Sequence, residues 1–318
     1  MQALDPIFIG WLLKTTLQMA TPLVITALGG MFSERSGVVN IGLEGMMLVG
    51  AFTAVAGTYF TGNPWIGLLF AIAAGAAMGF LHAIVCVKFK GNQIVSGTGI
   101  ILLGAGLTTL GLEVIWGRKG VSDEVIKIPD IPIPGLGQIP FIGQTLQIAI
   151  GSLSPIIVTM FVLVVVCYYI MYKTPIGLRI RAAGEDPSTL DTAGVDVDLT
   201  RIIGVVVSGA LAGLGGAYLS IGFENAFGKG MTDGRGFIAL AALIFGNWTP
   251  VGCFLAGLFF GFLSGLRYAI PIQFPELTGF SNFFRIIPFL LVIVALAGIR
   301  RSIPPKAVGV AYEKEKRA

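Results

Sequence analysis

The chain of 318 residues is 55% hydrophobic and only 12% charged, with a mean hydropathy of +0.86, which excludes a water-soluble surface and defines an integral membrane protein. Lys and Arg against Asp and Glu, 21 − 17, leave a net charge of +4, a balance that in a membrane chain reflects cytoplasmic loops and speaks against nucleic acid as a partner. Glycine, at 45 of 318, is about twice its usual share of roughly 7% and lets helix backbones approach closely in lipid.

A spanning helix needs about 20 apolar residues. The candidate spans are residues 7–32, 38–60, 64–87, 94–116, 149–171, 202–222, 236–249, 251–270 and 283–299. The first has no positive n-region and no small-residue cleavage site, so it is expected to remain a helix. After it, SERSGVVNIGLEG breaks the apolar run with Glu34 and Arg35 and places Asn40 and Glu44 at the start of the next. A charge at the bilayer centre costs at least about 2.5 kcal/mol, so Glu44 requires a partner or a polar path. A spacing of four puts Asn40 and Glu44 on one helix face, continued by Met47. Two readings stand: Glu44 locks helices, by pairing with Arg35 or accepting backbone hydrogen bonds near Gly42 and Gly45, or it lines a substrate path.

His82, the only histidine, reads as a packed side chain on the third span. Asn92, Gln93, Ser96 and Thr98 form a polar cluster opening the fourth; its amides both donate and accept, as a nucleobase edge or sugar hydroxyls require. Cys86, Cys167 and Cys253 lie in apolar runs without CxxC spacing and read as small buried hydrophobes. Arg118 to Gly143, with four prolines, reads as a stiff loop, either a linker or a docking surface.

Residues 172–201 differ from an ordinary basic loop. Pro175 starts a turn, Gly184 is placed to end a short helix, and Asp186 to cap the next from Pro187, which predicts two short helices at the membrane surface. After the sixth span, Phe223, Glu224, Asn225 and Phe227 either border an entrance, with aromatics suited to stack on a base, or anchor at the interface. Lys229, Asp233 and Arg235 read as solvated charges or receptor contacts. The seventh run is too short for an easy crossing and is expected to be a half-helix or re-entrant segment. Asn247 and Trp248 before Pro250 predict a tight turn with an interfacial Trp. An internal echo runs through the chain: VSG at 95–97 leads to GLEVIWG and VSG at 207–209 to GFENAFG, which places Glu113 and Glu224 in matching positions of a parallel repeat.

Placing 33–37, 88–93, 172–201 and the tail from 298 in the cytoplasm collects 13 of the 21 basic residues. The C-terminus is then cytoplasmic, the N-terminus external if there are nine crossings, and the proline-bearing loop external. Ser96 and His82 sit on different expected helices with no third orienting group, which argues against a hydrolase. An ion-driven carrier could carry protons on Glu44, Glu113 and Glu224, but it does not require the ordered loop at 172–201.

Four segments carry a family resemblance: GLRIRAAGEDPSTLDTAG at 177–194, SERSGVVNIGLEGMMLVGAF at 33–52, GNQIVSGTGIILLGAGLT at 91–108 and FIALAALIFGNWTPVG at 237–252. They are similar to permease subunits of bacterial ATP-binding-cassette importers, in the family serving branched-chain amino acids, simple sugars and nucleosides. SERSGVVNIGLEG resembles most the permeases of nucleoside or purine importers with a lipoprotein receptor. The resemblance implies an all-α integral membrane fold, a polytopic bundle of about eight to ten transmembrane helices with broken or re-entrant segments. It makes 1–318 one permease domain with an external loop at 118–143, a cytoplasmic coupling loop at 172–201 and a cytoplasmic tail at 300–318.

The implied function is nucleoside uptake across a bacterial cell membrane, with a simple sugar such as ribose or a branched-chain amino acid as the alternative cargo. Asn40, Glu44, Asn92, Gln93, Ser96, Thr98, Phe223, Glu224 and Phe227 are the residues expected along the substrate path. Gly177, Arg179, Arg181, Gly184, Glu185, Asp186 and Gly194 are expected to couple to a separate ATPase subunit, which would carry ATP and Mg. Its closure would tilt the fifth and sixth spans as rigid bodies. A second permease subunit and an extracytoplasmic substrate-binding lipoprotein complete the implied assembly. No GxxxxGK[ST] motif occurs, and Gly228-Lys229-Gly230 lacks the hydroxyl residue, so this chain is expected to bind no cofactor and to hydrolyse no ATP itself.

Overall fold

The computed structural model describes residues 6–140, 142–273, 286, 290 and 303–313. The expected ninth span lies outside the described residues except for those two single positions. Among the described residues the regular structure is helical apart from a two-residue antiparallel ladder joining β1 (Ile131–Pro132) to β2 (Ser152–Leu153) and an isolated bridge between Val121 and Gly228.

In chain order the helices are α1 (Pro6–Arg35), α2 (Leu43–Thr61), α3 (Pro64–Ala83), α4 (Gln93–Trp116), α5 (Gly143–Ile150), α6 (Pro155–Lys173), α7 (Pro175–Glu185), α8 (Pro187–Thr192), α9 (Val197–Ala217), α10 (Arg235–Phe245) and α11 (Pro250–Gln273). Short π-helical turns, Ile84–Lys88 and Tyr218–Phe223, extend α3 and α9. Local chemistry sets many of the boundaries. Asn63, Asn92, Thr174, Asp186 and Asp196 accept backbone N–H groups at helix starts, satisfying donors that have no intrahelical partner. Gly62 and Gly117 end α2 and α4 in the left-handed region.

Among the described residues six helices are long and apolar enough to cross a membrane, and Arg235–Phe245 and Pro250–Leu266 add shorter apolar segments. The expected span at 149–171 is divided: Pro155 starts α6, and the preceding residues form β2 and the short α5, which packs on α1.

α9 is the central post, packed against α1, α2 and α3. Its most apolar stretch is 67% buried, against 22% for α4, so α4 presents Leu102, Leu107, Leu110 and Val114 outward. The α9–α3 crossing is backbone to backbone. A Cβ at Gly209 or Gly213 would enter the carbonyls of Gly75 or Ala71, so only glycine permits this approach.

The first half of the proline-bearing loop is bound. Ser122 donates its backbone N–H to Phe227 O at 2.9 Å, Val125 to Asn225 O at 2.7 Å and Ile128 to Ile221 O at 2.9 Å, and Lys229 donates to Gly120 O at 2.8 Å. Residues 120–128 therefore lie as a belt over the end of α9, with its own Ile128 turned inward and Phe227 beneath it, both fully buried.

Candidate functional site: a half-helix and the loop beneath it

α10 is 11 residues long, roughly half of what a crossing requires. Its N-terminal donors have no local cap: Gly234 carries no side chain, and its φ is 79°. Glu44 supplies the acceptor from α2. One carboxylate oxygen accepts Gly234 N–H at 2.9 Å and the other accepts Gly236 N–H at 2.6 Å. A negative group at the positive end of a helix is also favoured by the aligned peptide dipoles. A Cβ on Gly236 would lie 2.5 Å from the Glu44 backbone, so glycine is required for the contact. The pairing of Glu44 with Arg35 does not form, and the accepted N–H groups belong to α10, not to the break near Gly42.

Arg35 is engaged elsewhere. Its Nε donates to Trp248 O at 2.8 Å, and Glu34 accepts the Trp248 indole N–H at 2.6 Å. The tight turn after α10 is present, with Asn247 and Trp248 at φ 50° and 52°. Trp248 is buried, not interfacial, because its indole is bonded to the buried Glu34.

Asn40 does not share a helix face with Glu44, since α2 begins at Leu43. The SGVVNIG segment is irregular, and neighbouring side chains satisfy its backbone. Val39 N–H donates to Gln93 Oε1 at 2.6 Å, and His82 Nε2 lies 3.0 Å from Val39 O. A carbonyl only accepts, so Nε2 holds the proton and, in the neutral ring, Nδ1 accepts from Ser96 Oγ at 2.9 Å. Asn40 Nδ2 donates to Ser208 Oγ at 2.9 Å, while its Oδ1 has no partner among the described residues. Asn92 caps α4, and Thr98 donates to its own helix at Ile94 O. The polar cluster at the start of α4 is therefore largely committed to holding backbone.

A pocket of about 280 Å³ opens beside the N-terminus of α10, lined by Leu219, Phe223, Glu224, Met231 and Arg235 among others. Phe223 and Glu224 thus line the same pocket. Phe227 does not join them; it is fully buried, edge-on to Phe52 at 5.4 Å, and has no face free for a base. Glu113 and Glu224 are not equivalent: Glu113 lies inside α4 and pairs with Lys119 at 3.4 Å, whereas Glu224 follows the π turn. Gly228 and Lys229 are tied to Val121 and Gly120, so that glycine pair forms no phosphate loop.

Below the bundle, residues 174–196 form α7 and α8. Thr174 caps α7, and Asp186 accepts from the amides and hydroxyls of Ser188 and Thr189. Those four donors hold its carboxyl well below the usual carboxylate range, at about 2. Gly184 does not end α7. It lies inside the helix where a Cβ would strike the Arg35 carbonyl, so its role is close approach to the end of α1. Gly177 likewise lets α7 fold back against Ile170 and Met171 of α6, and Gly194 takes φ 80° after α8. Arg179 is exposed. Arg181 stacks over the Tyr172 ring at 5.1 Å, and Glu185 reaches Arg35 at 3.9 Å.

Sequence reasoning missed Glu34, Ser208, Gly234, Gly236 and Arg201. Gly234 and Gly236 were legible in principle, since two glycines flanking Arg235 open the one apolar run too short to span.

A polytopic bundle with a buried half-helix and an ordered helical loop between spans defines a membrane transport subunit. The chain belongs to the family described as branched-chain amino acid transport system / permease component, whose model matches residues 12–296. It is 42% identical to the guanosine ABC transporter permease protein NupQ of Bacillus subtilis, over 96% of this chain and 97% of that one. It is 37% identical to the nucleoside ABC transporter permease protein NupC of Lactococcus lactis, over 93% and 95%. The putative glucose ABC transporter permease protein TsgC13 of Haloferax volcanii is 38% identical over 82% and 78%. No solved structure matches.

Proposed function

We propose that this chain is the permease of an ATP-driven importer for nucleosides in a bacterial cell membrane. The observation that carries the cargo is 42% identity, over nearly the full length, to a relative named for guanosine transport. Glucose named for TsgC13 supports a second reading, a simple sugar as cargo.

In this account the α10 N-terminus faces the outer side, and the pocket at Phe223, Glu224 and Arg235 is the outer end of the path. Its volume, about 280 Å³, lies near the lower bound of about 300 Å³ for small-molecule sites. Glu44 acts as a helix lock beside that path and not as a substrate ligand, because both its oxygens are already engaged. Asn40, Gln93 and Ser96 shape the path from behind.

α7 is the contact for a separate ATPase that holds ATP and Mg. Its exposed residues Ile176, Leu178, Arg179 and Glu185 form the docking face, while Arg181 holds α7 to α6. A second permease completes the path, and a substrate-binding lipoprotein delivers cargo at the outer side. The C-terminus lies in the cytoplasm. Closure of the ATPase moves α6 together with α7, whose Gly177 and Arg181 lie against it; the bridge from Glu185 through Arg35 to the Asn247–Trp248 turn is a weaker link to α1 and α10.

The test is uptake of labelled purine and pyrimidine nucleosides, ribose, glucose and branched-chain amino acids in cells with and without this chain. Loss of nucleoside uptake alone is expected. Loss of only sugar or amino-acid uptake refutes the nucleoside cargo.

A further inference from the structure

Residues 303–313 form neither helix nor strand, yet they are fastened to six separate parts of the molecule. Ile303 N–H donates to Asn247 Oδ1 at 3.0 Å on the α10–α11 turn. Ala307 N–H donates to Gly184 O at 2.8 Å on α7, and Gly309 N–H to Gly37 O at 3.1 Å between α1 and α2. Val310 O accepts from Arg201 Nη1 at 2.8 Å on α9. Tyr312 packs with Ala183, Leu190 and Val197, and Glu313 pairs with Lys90 at 3.5 Å below α3. A terminal segment without a role is expected to fray; this one ties together the undersides of most of the bundle.

Arg201 is the fastening. It is 2% exposed, and the described residues give it no carboxylate within 4 Å. Among the described residues its guanidinium bonds to two carbonyls, Val310 O at 2.8 Å and Ala183 O at 3.3 Å. Ala183 lies in the last turn of α7, where carbonyls lack helical partners and the helix end is negative. Gly37 makes room: a Cβ there would approach Arg201 Nη2 to 2.8 Å. A buried guanidinium is expensive unless it is hydrogen-bonded; its two terminal nitrogens are engaged while Nε has no partner among the described residues, and one cation holds both the end of α7 and the segment at 303–313.

We propose that residues 303–313 are a positioning strap for transport coupling, with Arg201 as its clasp. The strap holds α7 against the cytoplasmic ends of α1, α9 and α10, so that displacement of α7 by the ATPase moves those ends together. Without it, α7 keeps its packing on α6 and the close approach of Gly184 to Arg35 of α1, but its polar links to α1, α9 and α10 are reduced to Arg201 on Ala183 O and the contact between Arg35 and Glu185, whose side chain is 47% exposed, a geometry that contributes little. The proposal rests on the importer reading above.

The test uses the complete importer, reconstituted with its ATPase, partner permease and receptor. Two variants are compared with the parent: a chain ending at Ser302, and Gly309→Val, which strains the strap at φ +83° without touching a membrane helix. The readouts are labelled guanosine taken up per ATP hydrolysed and the amount of ATPase that copurifies. Both variants are expected to retain the ATPase at the parent level while uptake per ATP falls by at least about threefold, the scale of a modest coupling change. Unchanged uptake per ATP in the truncated chain overturns the strap. Loss of ATPase copurification also overturns it, since the segment would then be a docking surface. Uptake by the parent complex separately tests the importer reading.

Discussion

The two ends of α10 are held by the same kind of side chain in opposite electrostatic surroundings. At the N-terminus, Glu44 alone suffices, because its two oxygens meet two free N–H groups at the positive end of the helix. At the C-terminal side, Glu34 takes the Trp248 indole, and a separate cation meets the negative end, Arg35 donating to the carbonyls of Trp248 and Asn247 in the turn that follows. A half-helix inside a membrane has no water to satisfy its ends, so side chains from other helices must do so. Intramembrane carboxylates, which invite a transport reading, here are first the caps of a broken helix.

Substitutions at the two ends probe this contrast. Glu44→Ala leaves two buried donors unpaired and is expected to destabilise the fold by about 4 kcal/mol, at the upper end for lost charge-assisted bonds. Gly236→Ala drives a methyl group into Glu44 and is expected to cost about 2 kcal/mol from overpacking. Glu44→Gln keeps only one acceptor oxygen, and about 1.5 kcal/mol is expected. Trp248→Phe removes one donor from Glu34 while keeping the ring, for about 1 kcal/mol. Thermal unfolding in detergent orders the four. A Glu44→Gln protein as stable as the parent but altered in cargo preference would return Glu44 to the path.

The smallest effect is at Asp186, outside the bundle. Its folded value of about 2 lies below its ordinary value, so the cap on α8 is fully formed above about pH 4 and is lost as pH falls through the folded value. Hydrogen exchange in α8 is therefore expected to show no change attributable to this cap between about pH 5 and 8. Asp186→Asn, which weakens the cap at any pH, should raise exchange in α8 and leave α7 unchanged.

Much of the bundle was legible because apolar length and capping residues act locally: Asp186 and Pro187 mark a helix start by their own chemistry. The short seventh run announced α10 by length alone. What Glu44 touches was not legible, because its partners lie 190 and 192 residues away and are backbone groups with no side-chain signature. The same applies to Arg201, whose acceptors are two carbonyls. Phe227 was misplaced because an aromatic beside Glu224 reads as an entrance residue, whereas burial depended on a belt of backbone hydrogen bonds from residues 120–128. The π turns ending α3 and α9 had no sequence signal that distinguished them from ordinary helix.

The central claim is that this chain carries nucleosides inward at the expense of ATP on a partner. The most direct measurement is guanosine accumulation in vesicles containing the reconstituted importer, with either ATP supplied to the ATPase side or a proton gradient imposed without ATP. Accumulation with ATP that survives collapse of the gradient is the predicted result. Accumulation driven by the gradient and indifferent to ATP would contradict the account and make the chain an ion-driven carrier.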